Sequence, residues 1–381
     1  MKAKNQHVQR VLKWLKQEVV LVVSIIAAII SAFYMPPSRA YLEYIDYEVL
    51  LCLFCLMVVV AGFKKIQAFE VAAELVAKKS RHMRQLGLGI VLLTYVLAMF
   101  MTNDVALITL VPFTLIVLDK VNESRYAIVV IVLQTIAANI GSSLTPMGNP
   151  QNLYLFSRYQ LGLVEFLLLL LPIVALGGLF LVLSSFLIEK KPLPTIEKIT
   201  SKCMDKKRLL VYCLLFGLSV LAVFNIIPYL WAAVIVTLCV LIMDRHLFLE
   251  VDYSLLLTFV GFFIFVGNLS EIEPVRHFIA ELLTRGEFII SVLVSQIISN
   301  VPAAVLLSGF TNNYRELLLG VNVGGMGTLI ASLASVISYK LYTKAHPKLS
   351  GRFLRIFTVF NVVFLLLLGG AALLFLHIIN A

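Results

Sequence analysis

Ala138–Asn152 reads ANIGSSLTPMGNPQN and Val321–Ser335 reads VNVGGMGTLIASLAS; each is a polar, glycine-rich break inside an apolar run of membrane length. Each is preceded by a second interruption, MTND at Met101–Asp104 in the first half and ISNVP at Ile298–Pro302 in the second. Irregular backbone is tolerated at membrane depth only where it is buried in protein or lines a watery cavity, because lipid satisfies neither N–H nor C=O. One such pair in each half predicts a polar solute site between the halves.

Composition sets the surroundings. Apolar residues make up 61% of the 381 residues and charged residues 14%, and the mean hydropathy is +0.98. These values fit a polytopic membrane protein, and no polar stretch is long enough for a separate soluble domain. Apolar spans lie near 19–35, 47–63, 126–157 (broken), 164–188, 209–225, 230–243, 254–270, 314–340 (broken) and 353–379. Two more stretches, 86–118 and 287–311, are split by a polar tip and read as re-entrant hairpins. That leaves about nine full crossings.

The net charge of +10 is an orientation signal, not a nucleic-acid surface. With the N-terminus inside, 26 of the 31 Lys and Arg residues fall on inner segments and 5 on outer ones, as the positive-inside rule requires. The expected location is the cell membrane, inner or plasma, with the N-terminus cytoplasmic and the C-terminus extracytoplasmic. The run Val19–Tyr34 follows a basic start but lacks a small-residue cleavage site, so it reads as a retained span. Cys52 and Cys55 have CxxC spacing without a second pair or nearby His, so helix packing is the simpler reading.

An internal repeat organises the chain. Ile45-Asp46-Tyr47 matches Val251-Asp252-Tyr253, Asn103 matches Asn300, and Asn139, Gly141 and Thr145 match Asn322, Gly324 and Thr328, 183 positions on. The extra span 209–225 between the copies turns the second upside down. The expected fold is an all-α polytopic membrane protein of two inverted repeats, with two re-entrant helical hairpins and two broken helices. Its parts are a cytoplasmic segment 1–18, repeat 1 over 19–188, a linker and spacer helix over 189–225, and repeat 2 over 226–381. Inverted hairpin tips meet near the midplane, where helix N-termini favour anions and freed carbonyls favour a hard cation. Stripes at Ile66, Phe69, Ala73 and Val76, and at Ile272, Val275, Ile279 and Leu282, predict an interfacial helix leading into each hairpin.

Thr102-Asn103-Asp104, NIGSSLTPMGNPQN and Ser299-Asn300-Val301-Pro302 resemble the ion transporter superfamily, which includes divalent anion:sodium symporters, citrate transporters, sodium/proton antiporters and arsenite-efflux permeases. The resemblance runs from about Asp46 to Ala381. It implies a homodimer that moves by an elevator-like displacement. By position it implies that Thr102, Asn103, Ser299 and Asn300 line the substrate and that Thr145 and Thr328 contribute from the broken helices. Asn103 with Gly141, and Asn300 with Gly324, would frame two cation sites, with Asn139 and Asn322 beside them. Asn149, Gln151 and Asn152 divide between lining the site and capping the resumed helix, while Gln134 and Gln296 read as interhelical hydrogen-bond partners.

The sequence departs from the dicarboxylate pattern, Ser-Asn-Thr at both tips, by carrying Asp104 and Val301 at the third positions. Asp104 is the one acid within the apolar depth, where desolvation disfavours its charged form and makes proton exchange feasible. The competing reading makes Asn103 or Asp104 the N-cap of a second hairpin helix over Val105–Leu118. No GxxxxGK[ST], HExxH or GxSxG occurs, so an enzyme is not expected. The expected function is ion-coupled secondary transport of a small anion, a carboxylate or an inorganic oxyanion, driven by sodium or protons without a cofactor. The alternatives are proton-coupled export of a neutral metalloid hydroxide or sodium/proton antiport, and more remotely a channel or a membrane scaffold. The partners implied are the solute, the bilayer and a second copy of the chain, with no nucleic acid.

Overall fold

The computed structural model describes residues 18–194 and 205–380, and there every regular element is a helix. Most of the N-terminal segment, with Lys2, Lys4, Arg10, Lys13 and Lys16, lies outside the described residues, as do Lys198, Lys202, Cys203 and Ala381. The first half runs α1 (Val19–Tyr34), α2 (Ala40–Tyr44), α3 (Tyr47–Lys65), α4 (Ala68–Lys79), α5 (Met83–Ala98), α6 (Asn103–Lys120), α7 (Ala127–Ser142), α8 (Pro150–Arg158) and α9 (Leu163–Ser184). The second runs α10 (Lys206–Val223), α11 (Tyr229–Asp244), α12 (Tyr253–Glu271), α13 (Glu273–Thr284), α14 (Glu287–Ile298), α15 (Asn300–Ser308), α16 (Tyr314–Gly324), α17 (Leu333–Ala345) and α18 (Ser350–Asn380).

Six helical stretches among the described residues are long and apolar enough to cross a membrane, namely those containing α3, α7, α9, α11, α12 and α18. The helices α1, α5 and α14 are apolar but shorter, and three basic residues open α10. Local chemistry explains several starts. Asp46 accepts the Val49 N–H at 3.0 Å and Asp252 accepts the Leu255 N–H at 2.9 Å, so the matched Asp-Tyr pairs are matched N-caps. Helices form at both places where an interfacial helix was expected, α4 and α13, each 12 residues long.

Packing relates the halves reciprocally. The helix α1 of the first half packs on α12 of the second, and α10 and α11 of the second both pack on α3 of the first. The most buried span is α7, which α5, α6, α9, α17 and α18 surround. Gly141 is required there, because a Cβ would stand 2.1 Å from the Tyr95 carbonyl oxygen of α5. Its counterpart Gly324 lets α16 approach α14 in the same way, a Cβ there falling 2.8 Å from the Ser295 Cβ. These two glycines set how closely each broken helix rests on the helix before its tip.

A polar clasp closes the end of the first half. Glu123, between α6 and α7, is buried and holds Lys191 and Arg125, while the Arg84 Nε–H donates to the Ile188 carbonyl at 2.9 Å. The Lys191 contact is first among the causes that hold the Glu123 carboxyl below its usual range, against the opposing effect of burial. Cys52 and Cys55 are buried free thiols of α3.

Candidate functional site

Each broken helix is rebuilt through one 3-10 turn between two extended residues. In the first, α7 ends at Ser142, Thr145 and Asn149 are extended, Pro146–Gly148 turn once, and Pro150 opens α8 at a position that needs no N–H. In the second, α16 ends at Gly324, Thr328 and Ser332 are extended around Leu329–Ala331, and α17 resumes. Gly327 sits at φ +108°, a conformation that L side chains rarely adopt.

Carbonyls freed by the breaks would be costly if buried without partners. In the first break the Asn152 amide donates to the carbonyls of Ser142, Ser143 and Thr145 at 3.1, 3.2 and 3.4 Å. In the second the same service comes from the neighbouring helix. The Gln296 amide of α14 donates to Gly324 and Met326 at 2.7 and 3.0 Å, and its carbonyl accepts the Thr328 N–H at 2.8 Å. Gln134 bonds Thr94 and Thr114 across helices, as expected of an interhelical partner.

Two asparagines stitch the halves together. Asn139 Nδ2 donates to the Gly325 carbonyl at 3.3 Å, and Asn139 Oδ1 accepts from Asn103 and from Ser332, each at 3.0 Å. Asn322 Nδ2 donates to Asn152 Oδ1 at 2.7 Å, while its own Oδ1 is buried without a partner. Amide orientation in the first chain is fixed by its ends, because Asn103 Oδ1 accepts the Asp104 N–H at 2.9 Å and Asn139 Nδ2 faces a carbonyl. A continuous path therefore joins the α6 tip to the middle of the second break.

At the first tip, Met99–Thr102 form the turn, Thr102 is the N-cap residue, and α6 begins at Asn103. This corrects the expected helix start at Val105 and moves the N-cap position to Thr102, although Asn103 does satisfy one of the free N–H groups. Thr102 makes no side-chain cap, Asn103 accepts the N–H of Asp104, and the Asp104 carboxylate caps nothing. Asp104 is half-buried; its Oδ1 is buried with no partner, and the side chain enters no ion pair or hydrogen bond. A cavity of about 20 Å³ beside Thr102, lined by Leu53, Met57 and Phe100 among others, is too small for more than a water molecule.

At the second tip Ser299 alone separates α14 from α15, at φ 77° and ψ 154°. Its hydroxyl reaches the Ala331 carbonyl at 3.4 Å. The buried Asn300 side chain makes no hydrogen bond to another described residue.

The remaining predicted residues are placed as follows. Thr145 donates to the Met99 carbonyl, which ties the first break to the first tip. Thr328 is exposed and donates to the Gln296 carbonyl at 3.0 Å. Asn149 is buried with one long contact, 3.4 Å, to the Ser142 hydroxyl. Sequence reasoning passed over Ser332, although the 183-residue offset sets it opposite Asn149. No cluster of three or more His, Cys, Asp or Glu suited to a metal occurs among the described residues. The arrangement is rich in hydroxyls and carboxamides, carries one unpaired acid, and includes no basic residue.

The sequence model of the citrate transporter family matches residues 11–313. The chain is 34% identical over 332 residues to an uncharacterized transporter, MJ0456, of Methanocaldococcus jannaschii, covering 87% of this chain and 90% of that protein. It is 29% identical over 323 residues to the inner membrane protein YbiR of Escherichia coli, 83% of this chain and 86% of the relative. A shorter match, 34% over 133 residues, joins 35% of the chain to 27% of the silicon efflux transporter LSI3 of rice, Oryza sativa subsp. japonica.

Proposed function

The chain belongs to the citrate transporter family and is a membrane transporter, and we propose that it is a proton-coupled secondary transporter of a small inorganic oxyacid, carried as the neutral hydroxide. The observation that carries this reading is the unpaired Asp104 carboxylate at the α6 tip, in a site without a basic residue. An intramembrane acid with no counter-charge is costly unless it exchanges a proton or a cation. Beside a bound oxyanion it would repel the cargo. Beside a neutral M–OH group it repels nothing and can accept a hydrogen bond.

In this scheme the halves are inverted copies separated by α10, and the tips at Asn103 and Asn300 belong to one alternating-access site. The matched breaks and the reciprocal packing of α1 on α12 and α11 on α3 support it. Asp104 takes up a proton while the site faces outward and releases it while the site faces inward, so the inward proton gradient drives export. Asn139 transmits the state of the α6 tip to the second break through Gly325 and Ser332. The rice protein that matches part of the chain is named a silicon efflux transporter, and silicic acid is a neutral hydroxide of the same kind.

A second reading, a small carboxylate or oxyanion moved with sodium or protons, is favoured by the family's citrate name and by two helix N-termini at the tips. Proteoliposomes distinguish the two. Arsenite and silicic acid, both neutral hydroxides at neutral pH, should cross in response to a pH gradient, and citrate and phosphate should not. Citrate uptake driven by a sodium gradient, without movement of the neutral hydroxides, would establish the second reading.

A further inference from the structure

Gln151 stands in the first turn of α8, directly after the first break, and is fully buried at 0% exposure. Both of its polar side-chain atoms, Oε1 and Nε2, lack a partner within the protein. Other buried carboxamides, Asn268, Asn322 and Asn361, each leave only the oxygen unpartnered, their Nδ2 atoms donating to neighbours. Among the described residues Gln151 is the one carboxamide whose two polar atoms are both fully enclosed and both without a partner. A buried amide without hydrogen bonds is a substantial cost, and such groups in a native fold call for a ligand, an ion or an ordered water.

The repeat shows that the fold itself does not require this amide. The position 183 residues on is Ala334, equally buried at the same turn of α17. Asn149 and Asn152 face polar counterparts, Ser332 and Ser335, so the loss of polarity is particular to this position. Gln151 therefore joins Asp104, whose counterpart is Val301, as a polar group present in the first half only. The adjacent Asn152 is committed to three break carbonyls and to Asn322, which holds this turn of α8 rigidly at the break. The N-terminus of this nine-residue helix receives no cap from Asn149.

We infer that Gln151 is a solute-contacting, specificity-determining residue of the transport site. A carboxamide presents a donor and an acceptor side by side. A neutral hydroxide uses both, since M–OH donates to Oε1 and accepts from Nε2, whereas a deprotonated oxyanion or carboxylate uses the donor alone. Gln151 thus selects the protonated form of the oxyacid. The inference rests on the proposed function for the identity of the solute and on the buried amide for the residue.

The test is ligand-induced thermal stabilisation of the purified full-length protein, wild type and Gln151→Met, with arsenite, silicic acid, citrate and phosphate as probes. Methionine is unbranched and of similar length, and it removes two unsatisfied polar atoms. Without ligand the variant should melt at or above the wild-type temperature. Arsenite and silicic acid should raise the wild-type Tm, and their affinity should weaken about tenfold or more in Gln151→Met. If the variant is stabilised as strongly as wild type by the hydroxides, Gln151 does not touch the solute, although the function stands. A variant that melts well below wild type yet binds normally shows that the amide holds an ordered water, which also overturns the assignment. Stabilisation by citrate alone, lost in Gln151→Met, would overturn the neutral-solute specificity and the proposed function while leaving Gln151 in contact with the cargo.

Discussion

The two helix tips are counterparts in sequence but differ in physical state. The first turns through Met99–Thr102 with ordinary backbone and is tied by Asn103 to Asn139, and through it to Gly325 and Ser332 of the other half. The second turns on Ser299 alone, in a left-handed conformation unfavourable for a serine, and its Asn300 is untethered. The tethered tip carries the unpaired acid Asp104 and the strained tip carries Val301. In the proposed function these matched scaffolds would divide labour, a fixed tip holding the proton-exchanging group and a strained tip rearranging around the solute.

Removing the acid should have the largest effect. Asp104→Asn is expected to bring transport driven by a pH gradient down to the level of empty vesicles while exchange of labelled for unlabelled solute persists. A variant with normal response to the gradient would remove the functional difference between the tips.

Next in size is the loss of the tether. Asn139→Ala strands Asn103, Ser332 and the Gly325 carbonyl, and should cost about 3 kcal/mol of stability in thermal or denaturant melts. Asn300→Ala, which strands nothing, should cost less than about 1 kcal/mol yet abolish transport. Equal destabilisation by the two would contradict the assignment of one fixed and one free tip.

A smaller effect, of opposite sign, is expected at the strained turn. Ser299→Gly should stabilise the protein by up to about 1 kcal/mol, since glycine adopts positive φ without steric cost. Thr102→Gly at the relaxed tip should destabilise it. A Ser299→Gly variant that melts lower than wild type would show that the turn stores no strain.

The smallest effect concerns the clasp at Glu123. Its folded carboxyl is held below the usual range, first by the Lys191 contact, so the stability it contributes is present above the unfolded pKa of about 4.3 and is lost as pH falls through the lower folded value. The difference in Tm between wild type and Glu123→Gln should therefore be largest near neutrality and shrink below about pH 4. A difference independent of pH would show that burial of the side chain, and not its charge, matters there.

Much of this comparison was legible in the chain. The breaks could be read because glycine, proline and polar residues interrupt long apolar runs, and Asp46 and Asp252 could be matched as repeat counterparts, although their role as caps came only with the structure. The scaffold residues of the two breaks aligned at one offset, 183. The hydrogen bonds that distinguish the halves were not legible, because they join residues far apart in sequence: Ser332 to Asn139 across the repeats, and Gln296 of a neighbouring helix to the second break. The start of α6 was misplaced by two residues because Asn and Asp favour caps by propensity. Here Thr102 is the N-cap residue, and Asn103, already helical, accepts the Asp104 N–H through Oδ1 and donates through Nδ2 to Asn139. That Gln151 is unpartnered could not be foreseen, since a missing bond is visible only once every neighbour is placed.

The central claim, a transporter whose proton coupling resides in one half, is tested most directly by proton movement driven by solute alone. Wild-type protein in liposomes containing a pH-sensitive dye would be given an outward arsenite or silicic acid gradient without a pH or sodium gradient. The account predicts acidification of the lumen as solute leaves, absent in Asp104→Asn vesicles. Solute efflux with no change in luminal pH, or acidification that persists in Asp104→Asn, would contradict it.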